Sequence, residues 1–144
     1  MSWPGDVIAV AAGGSVGSVL RYAIICAVTQ PSVQGSLARV AVPIGGGNAL
    51  ATTLANLLGC LALGAIYQWT TSNETPGLSP QTLLVVRVGM LGSLTTFSTL
   101  IGETFVLASL GRYSSAGLVL GLNLTLGFAV FLAGMAATRA WMTA

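Results

Sequence analysis

Apolar residues run in four long blocks along this chain, about Val7–Val28, Asn48–Trp69, Gln81–Leu110 and Ser115–Trp141. Each block is long enough to cross a bilayer as a helix. In the third, residues Gly89 to Glu103 read Gly-Met-Leu-Gly-Ser-Leu-Thr-Thr-Phe-Ser-Thr-Leu-Ile-Gly-Glu, which puts a polar, glycine-containing stretch inside a lipid-compatible segment. In hydrocarbon every N–H and C=O needs an internal partner, so a spanning helix breaks only where it is buried in protein or lines a wet cavity. The flanking patterns, Gln81–Leu91 and Phe97–Leu110, are both helical and apolar. At 1.5 Å per residue, roughly 11 and 14 residues give about 16 and 21 Å, enough together to cover a core of about 30 Å. The crowding of Gly89, Gly92, Ser93, Thr95 and Thr96 predicts one span made of two half-helices. The alternative is a continuous helix whose hydroxyls bond back to the preceding turn.

Between the blocks the predicted connections are Gln30–Gly47, containing Gly45-Gly46-Gly47, then Thr70–Ser79, and Gly111–Ser114. Ser79-Pro80 reads as an N-cap followed by a first helical residue. Small residues mark where the helices should touch: Gly13, Gly14, Gly17 and Ser18 in the first span, Ala51, Ala55 and Gly59 in the second, and Gly117 with Gly121 in the fourth.

Composition settles the class. Of 144 residues, 54% are hydrophobic and 6% charged, where a soluble domain carries about a quarter charged residues. The expectation is an all-α membrane protein, one four-helix transmembrane domain over residues 1–144 with no soluble domain. The first block is not a convincing cleaved signal, because Asp6 stands where a basic segment belongs. Cys26 and Cys60 fall inside apolar blocks, and the chain has no histidine to complete a zinc or haem site. Asn73-Glu74-Thr75 matches a glycosylation pattern that is incidental in a short loop. Five scattered arginines make no nucleic-acid surface.

Those arginines also bear on orientation. Arg87 and Arg139 belong to one side of the membrane, Arg21, Arg39 and Arg112 to the other, so the count that sets topology is almost balanced. The chain is expected to insert both ways. Dual topology permits an antiparallel homodimer about a two-fold axis in the membrane plane, which would also wall off polar residues that four helices can barely enclose.

Polar groups within the blocks supply the candidate chemistry. Thr52 and Asn56 share one stripe of the second helix, and Thr95, Thr96, Ser98 and Thr99 add hydroxyls. Uncharged donors replace the water shell of a small anion while leaving it free to depart; interhelical hydrogen bonding is the competing role. Phe97 could turn its positive ring edge to an anion. Arg21 suits an entrance that concentrates anions, or a helix end from which it snorkels. Glu103 is placed to satisfy freed donors or to pair with an arginine.

Taken together, Gly13-Gly14-x-x-Gly17-Ser18-x-x-Arg21-Tyr22, Thr52-x-x-x-Asn56-x-x-Gly59, and Gly92-x-x-Thr95-Thr96-Phe97-Ser98-Thr99 followed by Glu103 resemble the Fluc (CrcB-type) family of fluoride channels. The resemblance covers three of the four blocks in order. It implies a channel and not an enzyme: an antiparallel dual-topology homodimer with two fluoride pores, in lipid of a prokaryotic cytoplasmic (inner) membrane. It also implies a structural sodium at the dimer centre, held by backbone carbonyls that fall on Gly92 and Thr95. The family's pore residues fall on Asn56, Thr52, Phe97, Ser98 and Thr99, and its vestibule arginine on Arg21. Asn123 falls where the family often has serine, and is a further pore candidate. Three positions depart from the family: Leu100 replaces a second phenylalanine, Ala51 a glycine, and Val119 a tyrosine. A small proton-coupled exporter of cationic drugs, also a four-helix dual-topology dimer, is the rival; it needs a membrane carboxylate, and Glu103 is the candidate. A non-transporting assembly subunit is the third possibility.

Overall fold

The computed structural model describes residues 3–72 and 77–144, and the Asn73-Glu74-Thr75 pattern lies outside the described residues. Every regular element is helical: α1 Trp3–Thr29, α2 Pro31–Ala41, α3 Gly47–Thr71, α4 Pro80–Leu83, a π-helical segment Leu84–Leu91, α5 Gly92–Leu94, α6 Phe97–Ser109 and α7 Tyr113–Met142. Four stretches, Trp3–Thr29, Gly47–Thr71, Pro80–Ser109 and Tyr113–Met142, are long and apolar enough to cross a membrane. These contain the four predicted blocks almost entirely and extend them by a turn or less, because polar ends continue the helix. Thr70 and Thr71 do so by returning their hydroxyls to the Ile66 and Tyr67 carbonyls.

Turn chemistry sets the boundaries. Ser79 Oγ accepts the Thr82 amide at 3.1 Å, and Pro80 opens α4, as the Ser-Pro pair predicts. Gly111, at φ 73°, closes α6: the Arg112 amide reaches the Leu107 carbonyl at 2.9 Å, the six-to-one bond of a Schellman ending. Gly45 and Gly46, at φ 104° and 112°, turn the chain into α3.

One connection differs from expectation. Most of Gln30–Gly47 is the helix α2 and not an irregular loop. Pro31 starts it, and Val33, Leu37, Ala38 and Ala41 place their side chains toward the bundle while Ser32, Gln34 and Arg39 face outward. The cue was present at helical spacing, obscured by the block's polarity.

Two ends of the bundle are defined by contacts. Arg112 Nη2 donates to the Val42 carbonyl at 2.7 Å, tying the α2–α3 turn to the α6–α7 turn at the glycine-bearing end. At the opposite end Trp69 stacks on Trp141, ring centroids 5.5 Å apart, the kind of pair that sits at headgroup level. The apolar core lies mainly toward the glycine end, where Leu50, Ala51, Leu100, Leu107 and Val119 meet.

Packing relies on missing side chains. A methyl group on Gly13 or Gly17 would strike the carbonyl oxygen of Val85 or Met90, so α1 lies directly on the backbone of the π segment. Gly64 of α3 and Gly134 of α7 likewise face the Phe131 and Leu61 carbonyls. Close backbone approach of this kind replaces the hydrophobic driving force that lipid abolishes. Of the seams expected from sequence, those on α1 and α3 are used. The Gly117–Gly121 seam is not used within the chain, where both glycines face open space; Gly134 provides the close approach on α7 instead. Gly64→Val should therefore cost about 1–3 kcal/mol through overpacking, read as a lower melting temperature in detergent. Gly35→Ala, in open space on α2, should leave that temperature unchanged or raise it.

Candidate functional site

The site begins where the third span changes its backbone. Leu84–Leu91 is π-helical, with the Gly92 amide bonded to the Arg87 carbonyl five residues back, a geometry often found at functional positions. Helix α5 then stops at Leu94, Thr95 (φ −84°, ψ 148°) and Thr96 (φ −148°, ψ 111°) are extended, and α6 starts at Phe97. Thr96 caps α6 by accepting the Thr99 amide on its hydroxyl. Gly59 of α3 makes room for the displaced chain, since any side chain there would meet the Thr95 methyl.

An unbroken helix would send the Thr96 amide to the Gly92 carbonyl. Here it goes to Asn56 Oδ1 on α3, at 2.9 Å. Asn56 Nδ2 in turn donates to Asn123 Oδ1 on α7 at 2.8 Å. Asn123 Nδ2 donates to Thr53 Oγ1 and to the Val119 carbonyl, each at 2.9 Å, and the Thr53 hydroxyl ends on the Ala49 carbonyl at 2.8 Å. A continuous polar chain thus runs from the interruption through α3 to α7 and back to α3. Asn123 is buried and has both N–H hydrogens committed, so it positions Asn56 and offers no free donor. Asn56 has one Nδ2 hydrogen without a protein partner among the described residues.

Asn56 itself lines a cavity of about 300 Å³ bounded also by Thr95, Thr96, Phe97, Asn123 and Arg87, among others. Gly92 and Leu100 also line it. Leu100 is buried and fills, as an aliphatic group, the place where the family resemblance expects an aromatic ring. Phe97 is 68% exposed, so its ring is not held in the protomer's core.

The remaining candidates gather elsewhere. Arg21, Thr52 and Thr99, with Ser18 and Tyr22, line a second cavity of about 310 Å³, which shares Thr96 with the first. Thr99 also lines a third, of about 490 Å³, with Asn48, Glu103 and Arg112. Ser98 is exposed, its hydroxyl 3.3 Å from Thr96 Oγ1. Thr52 is buried and donates to Glu103 Oε1 at 2.9 Å. Glu103 thus satisfies a threonine and not an arginine, and its Oε2 has no partner among the described residues. Thr53 and Arg87 were not read as site residues from sequence. Thr53 sits three residues before Asn56, a spacing that puts both on one helix face; Arg87 was visible only as a charge in the topology count.

Among the described residues no group of three or more His, Cys, Asp or Glu side chains is placed to hold a metal. Oxygen donors from the backbone are the remaining kind, and the diverted Thr96 amide relieves the Gly92 carbonyl of its usual helical partner.

Four helices long and apolar enough to span, tied together by buried uncharged hydrogen-bonding groups, are the build of an integral membrane protein. The chain belongs to the CrcB family: residues 8–135 match the family described as "CrcB-like protein, Camphor Resistance (CrcB)". This is a family of ion channels and not of enzymes. The chain is 44% identical over 151 aligned residues to the fluoride-specific ion channel FluC of Rhodopirellula baltica, covering 98% of this chain and 99% of the relative. It is 39% identical over 121 residues to proteins of the same name from Shewanella frigidimarina and Shewanella woodyi, covering 84% of this chain and 86% of each relative.

The polar chain yields a stability prediction. Asn56→Leu leaves the buried Thr96 amide and the Asn123 carboxamide oxygen without partners, at about 1–3 kcal/mol for each such group. Unfolding of N56L, N123L and the double variant in detergent should be non-additive, the double costing less than the sum. Additive costs would show that the two asparagines do not act together.

Proposed function

We propose that this protein is a passive, fluoride-selective channel of the prokaryotic cytoplasmic membrane, built as a single domain and working as an antiparallel dual-topology homodimer with two pores. Fluoride that enters the cell as neutral HF ionises inside and leaves through it. The observation that carries this reading is the Asn56–Thr96 bond. It fixes a carboxamide, with one N–H to spare, in a residue that lines one cavity with Phe97, Thr95 and Thr96. The names of the FluC relatives point to the same ion.

In this mechanism fluoride exchanges water for neutral donors. The spare Asn56 N–H, the hydroxyls of Thr99 and Ser98, and the positive edge of Phe97 each take a share of its hydration. None of these four groups carries a fixed charge, so the ion is released as readily as it is held. Thr52, whose proton is engaged by Glu103, shapes the Arg21 cavity, and Arg21 concentrates anions at its mouth.

A sodium ion at the dimer centre is part of the proposal. The Gly92 and Thr95 carbonyls of two inverted protomers would supply four hard oxygen donors, and the diverted Thr96 amide supports the assignment for Gly92. When bound, the ion would neutralise carbonyl dipoles that the interrupted helix leaves unpaired. The rival exporter would rest on Glu103, whose Oε1 accepts from Thr52, and drug transport driven by a pH gradient would favour it.

Liposomes containing the purified protein should release fluoride to an ion electrode and retain chloride; sealed liposomes, or equal release of both, would remove the proposal. Asn56→Asp should slow fluoride on the order of tenfold or more, because a negative charge then faces the permeant anion. Protein purified without sodium should lose flux and regain it on adding sodium but not potassium.

A further inference from the structure

Arg87 is a charge that the proposed mechanism leaves unused. It lies in the π segment, within the third span, and an arginine inside a span faces either a polar cavity or a route to the interface. Its side chain lines the same cavity as Asn56, Phe97 and Asn123. It is exposed, and among the described residues no carboxylate pairs with it; Glu103 is engaged with Thr52. An unpaired guanidinium is always charged and cannot rest against hydrocarbon, so the head group of Arg87 meets water either in that cavity or at the nearby interface, and in both cases its charge stands at the cavity's edge.

Position along the membrane normal gives the charge its meaning. Beside Arg87 the cavity is lined by Cys60 and Leu63, which follow Asn56 along α3 toward the Trp69–Trp141 end. Arg21 shares its cavity with Thr52, one helical turn before Asn56 and toward the glycine-bearing end. The two cavities share Thr96 as a lining residue. One arginine therefore stands on each side of the Asn56–Thr96 bond.

We propose that Arg87 is a second anion-attracting residue, which presents a fixed positive charge to the Asn56 cavity from the tryptophan-bearing end of its chain while Arg21 does so from the other end. The proposal rests on the channel reading above and adds a rate-determining residue to it. A fixed charge at the mouth of a low-dielectric cleft raises the local concentration of counter-ions, and added salt removes the effect.

The test compares wild type, Arg87→Gln and Arg87→Lys in liposomes, with initial fluoride efflux followed by electrode at low and high sodium gluconate. At an ionic strength of about 10 mM, where the Debye length is about 30 Å, R87Q should be slowed about threefold or more. At about 300 mM the gap should close, and R87K should follow wild type at both. Equal rates for R87Q and wild type, or the same slowing at both ionic strengths, would overturn the role. So would a wild-type rate independent of salt, whatever the variants do. Wild-type liposomes that retain their fluoride would instead sink the channel reading itself.

Discussion

Everything around the interruption depends on one substitution of partners: the amide of Thr96 gives up its own helix and is taken by a side chain from the neighbouring one. In a bilayer that amide has no water to turn to. Asn56 resolves the conflict with a carboxamide whose oxygen serves the backbone while its nitrogen serves Asn123. The interruption thus costs little more than a buried hydrogen bond exchanged for another, and the exchange leaves an N–H and a ring available beside a cavity. Stability and proposed permeation use the same carboxamide.

The helices that hold this arrangement do so through backbone contact and not through large side chains. Gly13 and Gly17 seat α1 on the π segment, Gly64 and Gly134 lock α3 to α7, and Gly59 admits Thr95. Since lipid is as apolar as leucine, bulk burial would not distinguish this packing from any other. Shape does, and it is sharpest near the irregular backbone of the third span.

Much of this was legible in sequence because a membrane simplifies the rules. Length and apolarity located the spans, and the Gly-Ser-Thr crowding located the irregular stretch. Thr95 and Thr96 are extended within it, although the π-helical turns that precede them follow no local pattern of Val, Arg and Leu. Asn56 was conspicuous because a carboxamide in lipid demands several partners. Which partners it finds is a long-range matter: Thr96 and Asn123 lie 40 and 67 residues away in the chain. Thr53 was passed over since a lone threonine in a helix usually serves its own turn, which its hydroxyl also does. Helix α2 was missed because its polar outer face resembled a loop, and Gly117–Gly121 misled because spacing alone cannot say which face meets a neighbour.

The polar chain also writes an order of assembly into the protein. Its members reside on α3, at the start of α6 and on α7, and α7 is synthesised after the other two. While the third span is being inserted, Asn56 is already present to take the Thr96 amide, but nothing yet restrains the other end of its carboxamide. Only when α7 docks does Asn123 stop that group from rotating. Biosynthesis of this chain should therefore pass through a three-helix stage in which the interruption exists but its geometry is loose, and the closing helix acts as the key that sets it.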